Sequence, residues 1–186
     1  MQVRSTFSRL VAALVLGGLA CQMPVAASEP EDELKAAIVL SFLRYSEWPA
    51  PAGGDPALTV GVLGRPSLVQ TLRRVLGGKA VDNRPVKILE IKPGEDPHCC
   101  QILYLATGKP GEIKQALAGA NAARTLTIGE TDRFLQFGGA VNLLIVDGRM
   151  GFEVSLEALE RSGIIISSKL LRLGQLHSSG KGRPPA

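Results

Sequence analysis

The chain has 186 residues, 45% hydrophobic, 20% charged and 4% aromatic, enough for one ordinary globular domain and too few for two. Lys and Arg number 21 against 17 Asp and Glu, a net charge of +4 spread along the sequence. Scattered charge with few rings excludes a dedicated nucleic-acid binder, which needs a concentrated basic stripe interleaved with aromatics.

Met1 to Arg9 carries Arg4 and Arg9 with no acid, and Leu10 to Ala20 is an unbroken run of apolar residues and glycine. That is an export-signal pattern. Its 11 residues fall well short of the ~20 that span a bilayer as a helix, and Pro24 follows closely. The small residues of Val25-Ala26-Ala27 place cleavage after Ala27. Losing Arg4 and Arg9 then lowers the net charge from +4 to +2. The rival expectation is a lipoprotein acylated at Cys21, although Gly18 stands where such signals usually carry Leu. With no later long apolar run, the exported part is expected to be soluble in the periplasm.

The spacing predicts a helix over Glu31 to Trp48, with Leu34, Ile38, Phe42 and Tyr45 on its buried face and Lys35 elsewhere; Pro49 and Pro51 stop it. Leu58 to Leu63 reads as a strand ending at Gly64. A helix should follow from Pro66 and Ser67, with a stripe of Leu68, Val69, Leu72, Val75 and Leu76, closed by Gly77-Gly78. Val86 to Ile91 and Gln101 to Ala106 are further strands, and their near-continuous apolar character predicts cover on both faces. Gly111 to Ala118 reads as a helix, Thr125 to Ile128 as a strand, and Thr131 to Phe137 as a helical turn or two. Asp147-Gly148 between Ala140–Val146 and Gly151–Val154 predicts an antiparallel hairpin at the sheet edge. Ser155 caps a helix over Leu156 to Arg161, Ile164 to Ile166 forms a last buried strand, and Ser167 and Ser168 cap a final helix. The expected fold is a single α/β domain over residues 28–177: a mostly parallel sheet flanked by helices, then a disordered tail over 178–186.

Familiar enzyme signatures are absent from the sequence: no G-x-S-x-G, no phosphate loop with Ser or Thr after Lys, and no dinucleotide glycine spacing. Only His98 and His177 are available as imidazole bases. His98-Cys99-Cys100 has no second pair of ligands to complete a metal site, so neither a metal nor a cofactor is expected. Cys99 and Cys100 remain the redox candidates, as a vicinal ring, a bridge to another chain, or buried thiols. In a parallel α/β sheet, ligands bind beyond the carboxyl ends of the strands. Gly64-Arg65-Pro66-Ser67, Thr107-Gly108-Lys109 and Gly129-Glu130-Thr131-Asp132 should meet there. Arg65, Ser67, Lys109 and Thr131 are accordingly candidates for holding a small anion or metabolite, or serve only turns and helix caps. Phe42, Tyr45 and Trp48 gather three of the seven aromatics beyond the signal; Phe42 reads as core and Trp48 as core or partner anchor.

Taken in order, Ala37-Ile38-Val39-Leu40-Ser41-Phe42-Leu43-Arg44-Tyr45-Ser46-Glu47-Trp48-Pro49, Cys100-Gln101-Ile102-Leu103-Tyr104, Gly138-Gly139-Ala140-Val141-Asn142, Arg149, Phe152-Glu153-Val154 and Ile166-Ser167-Ser168-Lys169-Leu170-Leu171-Arg172 resemble the YfiR family of periplasmic proteins. The resemblance covers about Leu34 to Leu173 and implies a non-enzymatic regulator. YfiR-like proteins repress a YfiN-type membrane diguanylate cyclase through its periplasmic portion, which lowers cyclic-di-GMP and biofilm formation. A YfiB-type outer-membrane lipoprotein can sequester the repressor, and members can form a homodimer. No nucleic acid is implied. Carried over by motif, Tyr45, Trp48, Arg149, Glu153, Lys169 and Arg172 are the candidate partner-binding residues, the last four reading either as a binding rim or as structural ion pairs, with Phe152 as core and Ser168 as a cap. Members studied as redox-responsive use two separated disulfides, whereas only Cys100 matches a family cysteine here.

Overall fold

Apolar runs alternating with amphipathic stretches build one eight-stranded sheet between helices, seen in a computed structural model that describes residues 29–48, 56–98, 100–122 and 124–178. The export signal, its cleavage point, Cys21, Pro49, Cys99 and residues 179–186 lie outside the described residues. In chain order the elements are α1 (Glu29–Arg44), β1 (Ser46–Glu47), β2 (Leu58–Gly64), α2 (Pro66–Leu76), β3 (Ala80–Val81), β4 (Arg84–Ile91), β5 (Ile102–Ala106) and α3 (Pro110–Ala122). Then come β6 (Leu126–Gly129), a 3-10 turn (Leu135–Phe137), β7 (Val141–Val146), β8 (Arg149–Ser155), α4 (Leu156–Ser162), β9 (Ile165–Ile166), α5 (Ser168–Leu171) and β10 (Gln175–His177).

The strand order is β10-β8-β7-β6-β5-β2-β4-β3, parallel from β7 through to β4, with β8 antiparallel to β7 and β3 antiparallel to β4. From β2 the chain steps outward to β4, then returns across β2 to β5 and builds the other way. The strand order therefore reverses between β2 and β5, which is where open α/β sheets leave a crevice. Side chains of these two strands alternate between cores. Leu58, Val60, Val62, Ile102 and Tyr104 join the larger core with α1 and α2, while Leu63, Leu103 and Leu105 meet Ile113 and Leu117 of α3 on the opposite face. Phe134 fills the second core between Gly129 and Gly139, where any Cβ would collide with its ring. Phe42 and Phe152 meet edge-on in the first, with centroids 5.3 Å apart.

The α/β class, the mostly parallel sheet and the C-terminal hairpin agree with the sequence expectation, and several local readings need correction. The first helix ends at Arg44, not Trp48, because Ser46 and Glu47 are drawn into an antiparallel ribbon with Ile166 and Ile165. Its buried stripe is Asp32, Lys35, Ala36, Val39, Phe42 and Leu43, leaving Leu34 and Tyr45 exposed. Ile164–Ile166 is not a strand of the main sheet, and Ile165 is 64% exposed. The hairpin is not the edge, since β10 adds beyond it in parallel to β8, with His177 opposite Ser155. Asp82 and Asn83 adopt left-handed φ of 51° and 61°, the turn chemistry that folds β3 back on β4. Lying next to that short edge strand, β4 is covered only in part: Val86 is buried in the larger core and Ile91 in the second, while Lys87, Leu89 and Glu90 are exposed.

Candidate functional site

Helix α1 packs with its N-terminal turns above the carboxyl ends of β2, β5 and β6, and there the chain buries charge. Lys35 is 3% exposed, with Nζ 2.6 Å from Glu130 Oε2 and 2.7 Å from Glu31 Oε1. Arg65, immediately after β2, donates through Nη2 to Glu130 and through Nη1 to Asp32 Oδ1 at 3.3 Å. Tyr104, fully buried on β5, donates its hydroxyl to Glu130 Oε2 at 3.1 Å. Glu130 at the end of β6 thus accepts from three side chains on three elements, the saturation that a carboxylate out of water requires. Burial first, and then the Glu130 carboxylate, pushes the Tyr104 phenol far above its ordinary range, so it stays a proton donor. The hydrogen bond from Lys35 holds the Glu31 carboxyl below its usual range.

Beside this cluster opens a cavity of about 530 Å³ lined by Glu31, Lys35, Arg65, Thr107, Glu130, Thr131 and Asp132 on one side and by Leu143, Ile145 and Met150 of the β7–β8 hairpin on the other. That volume suits a small molecule, for which concave sites run roughly 300–1,000 Å³. Asn142 fixes the wall: its Oδ1 accepts from Thr131 N at 3.1 Å, and its Nδ2 donates to Glu153 Oε1 at 2.9 Å. The Thr131 hydroxyl is buried and has no hydrogen-bond partner among the described residues. Leaving such a group unsatisfied costs about 1–3 kcal/mol.

Of the candidate anion-site residues, Arg65 and Thr131 line the cavity, while Ser67 and Lys109 do not. Ser67 Oγ donates to Asp32 Oδ2 at 3.3 Å and caps nothing; α2 starts from Arg65 without a side-chain cap. Lys109 sits outside on Glu112 at 2.9 Å, and its hydrogen bond, followed by that of Thr107, holds the Glu112 carboxyl low. Both cations at the cavity are already matched by carboxylates. Sequence reasoning misses Asp32, Lys35 and Tyr104 as site residues, and reaches Glu130 only as a member of the Gly129–Asp132 loop. The available signal was the spacing of Asp32, Lys35, Ala36, Val39 and Leu43, which puts charges in register with the apolar stripe.

The candidate partner residues divide between the two ends of the sheet. At the amino end, Trp48 Nε1 donates to Gln101 O at 3.0 Å and its half-buried ring packs on the larger core, so it serves as a clasp. Ser167 N donates to Tyr45 O at 2.8 Å, which places exposed Tyr45 beside the segment bearing exposed Lys169 and Arg172. Arg172 Nε reaches back to Ser168 O at 3.2 Å; Ser167, not Ser168, is the N-cap, accepting from Lys169 N. Arg149 lies exposed at the tip of the β7–β8 hairpin, opposite Val146. Glu153 is in neither place, held between Asn142 and His177, whose Nε2 is 2.9 Å from Glu153 Oε2. Cys100 is buried in the second core. His98 is exposed beside Asp96, and among the described residues no group of three or more His, Cys, Asp or Glu could hold a metal ion.

An open, mostly parallel sheet with helices on both faces and a cavity beyond the carboxyl ends of its strands defines an α/β domain. The YfiR/HmsC-like family model matches residues 32–175, and the chain belongs to that family. The family is periplasmic and regulatory rather than catalytic in character. No helix among the described residues is long and apolar enough to cross a membrane. No curated protein matches the chain. Among solved structures it is similar to a conserved domain protein from Vibrio cholerae O1 biovar eltor, with TM-score 0.56 and 13% identity over 80% of this chain and 60% of that one. It is also similar to the ABC domain in complex with L-Trp from Streptococcus pneumonia, with TM-score 0.52 and 9% identity over 78% of this chain and 60% of that one. The chain therefore spans about 60% of the length of both structures, and at such identities the likeness is one of fold.

Proposed function

We propose that this protein is a periplasmic regulator that docks on the periplasmic portion of an inner-membrane diguanylate cyclase and represses it, lowering cyclic-di-GMP and biofilm formation. Membership of the YfiR/HmsC-like family over residues 32–175 carries the reading. The amino end of the sheet supplies a surface for it. A groove of about 390 Å³ lined by Leu156, Leu159, Ile164, Ile165 and Leu171, with Glu160 as its one charged lining residue, ends at α5, the helix that carries exposed Lys169 and is followed by exposed Arg172. Repression works as a population shift, to the extent that docking favours the cyclase's inactive arrangement. A YfiB-type lipoprotein would compete for the same surface, and export by a signal cleaved near Ala27 would bring the chain to it.

Deletion of the gene should raise cellular cyclic-di-GMP, with restoration by the full chain and not by a chain carrying Ile165→Asp, Lys169→Glu and Arg172→Glu. Unchanged cyclic-di-GMP on deletion, or full restoration by the triple variant, would refute the docking reading.

A second reading, a module that binds a small metabolite, draws on one observation: the cavity at the strand reversal, with its buried unpartnered Thr131 hydroxyl. The two readings are compatible, because the cavity and the groove lie at opposite ends of the sheet.

A further inference from the structure

We infer that the carboxyl-end cavity takes a small amphipathic ligand through a positively charged amine. The inference rests on the metabolite-module reading and is independent of docking. Charge at the site decides its sign. Three carboxylates line the cavity, Glu31, Glu130 and Asp132, against two cations, Lys35 and Arg65, an excess of one negative charge, and buried Asp32 behind Arg65 adds a second to the cluster. Both cations are committed: Lys35 to Glu31 and Glu130, Arg65 to Asp32 and Glu130. An incoming anion would have to displace a buried partner, whereas an incoming cation meets acceptors with capacity to spare. Glu31 retains an oxygen beyond its contact with Lys35 and is 35% exposed, and Asp132 is exposed at the same mouth. Excess charge of one sign in a recess with apolar walls concentrates counter-ions there.

The remainder of the lining sets the body of the ligand. Leu143, Ile145 and Met150 form an apolar wall across from the acids, so a compact hydrocarbon or aromatic portion is desolvated while its amine remains on the carboxylates. The buried Thr131 hydroxyl offers a further polar contact that no protein group among the described residues uses. A metal ion does not fit, since the described residues provide no cluster of three or more ligands.

Three matched probes read the sign: 2-phenylethylamine, phenylacetate and 2-phenylethanol, titrated calorimetrically into the full chain with methyl signals of Ile145 and Met150 followed by NMR. The amine should bind at least about tenfold more tightly than either congener and shift both methyl signals. Glu31→Gln combined with Asp132→Asn, two solvent-reached positions, should weaken amine binding at least about tenfold while unfolding shifts by less than about 1 kcal/mol. Equal or tighter binding of the carboxylate or alcohol overturns the inference and leaves a metabolite module of another class. Absence of binding by all three up to about 10 mM overturns both.

Discussion

The two ends of α1 bury the same stripe of one helix against opposite kinds of neighbour. At its C-terminal end Val39, Phe42 and Leu43 pack into hydrocarbon, with Phe152 edge-on to Phe42. At its N-terminal end the same stripe continues as Asp32 and Lys35, which are as inaccessible as the apolar residues and are met by Arg65, Ser67 and Glu130. Burial is thus uniform along the helix while its chemistry is not. Hydrocarbon at one end is held by area; charge at the other is held only while every partner is present.

Removing one member at each end breaks the comparison most forcefully. Phe42→Ala should destabilise by about 3–5 kcal/mol, through lost transfer energy and the cavity left behind. Glu130→Ala should reach a similar size, about 3–5 kcal/mol, because Lys35 and Arg65 each lose a partner and the Tyr104 hydroxyl is orphaned. Urea denaturation of both variants checks the pair. A loss below about 1 kcal/mol for Glu130→Ala would mean that water or relaxation rescues the cluster, and that the two ends are not equivalent in rigidity.

A gentler probe is Tyr104→Phe, which should cost about 1–2 kcal/mol at neutral pH because Glu130 retains Lys35 and Arg65. Its pH dependence carries the sharper sign. The folded phenol titrates far above its ordinary value of 10.0, and the unfolded one near that value. Its stabilisation is therefore whole below about pH 10 and declines as pH rises further. Wild type should lose denaturation midpoint faster than Tyr104→Phe between about pH 9 and about pH 11.

Glu31 works in the other direction and more weakly. Its folded carboxyl lies below the ordinary 4.5, so its contribution is present above about pH 4.5 and is lost as pH falls through the folded value. Being partly exposed, the Glu31–Lys35 pair should add less than about 1 kcal/mol. Glu31→Gln should differ from wild type by that small margin at neutral pH and converge with it in acid, as thermal unfolding at a series of pH values would report.

Legibility in the sequence followed the same division. Leu58–Leu63, Gln101–Ala106 and the Asp147-Gly148 hairpin were readable because apolar runs and turn residues speak for themselves, and they were enough for the fold class and for the family resemblance. At the carboxyl end topology alone brings the three loop segments together, which is enough to place Arg65 and Thr131 at the cavity. The helical spacing sets Lys35 off the buried face, since charge normally marks the outer face of a helix; only its tertiary partner Glu130, 95 residues away, reverses that. Ser46–Glu47 and Gln175–His177 were missed because two- and three-residue strands have no period to read, and their pairing is dictated by segments distant in sequence.

The smallest effect on stability should come from the amino-end rim. Lys169 and Arg172 are exposed, and Arg172 bonds through Nε to a backbone carbonyl of the helix just before it, so Lys169→Ala and Arg172→Ala should each alter unfolding by no more than about 0.5 kcal/mol. Their value lies in that neutrality. Where Glu130→Ala would confound folding with function, a rim variant that melts normally and still fails to restrain cyclic-di-GMP isolates docking from architecture. Rim variants that melt normally and repress as well as wild type would move the docking surface away from α5, leaving exposed Arg149 at the opposite end of the molecule as the next position to test.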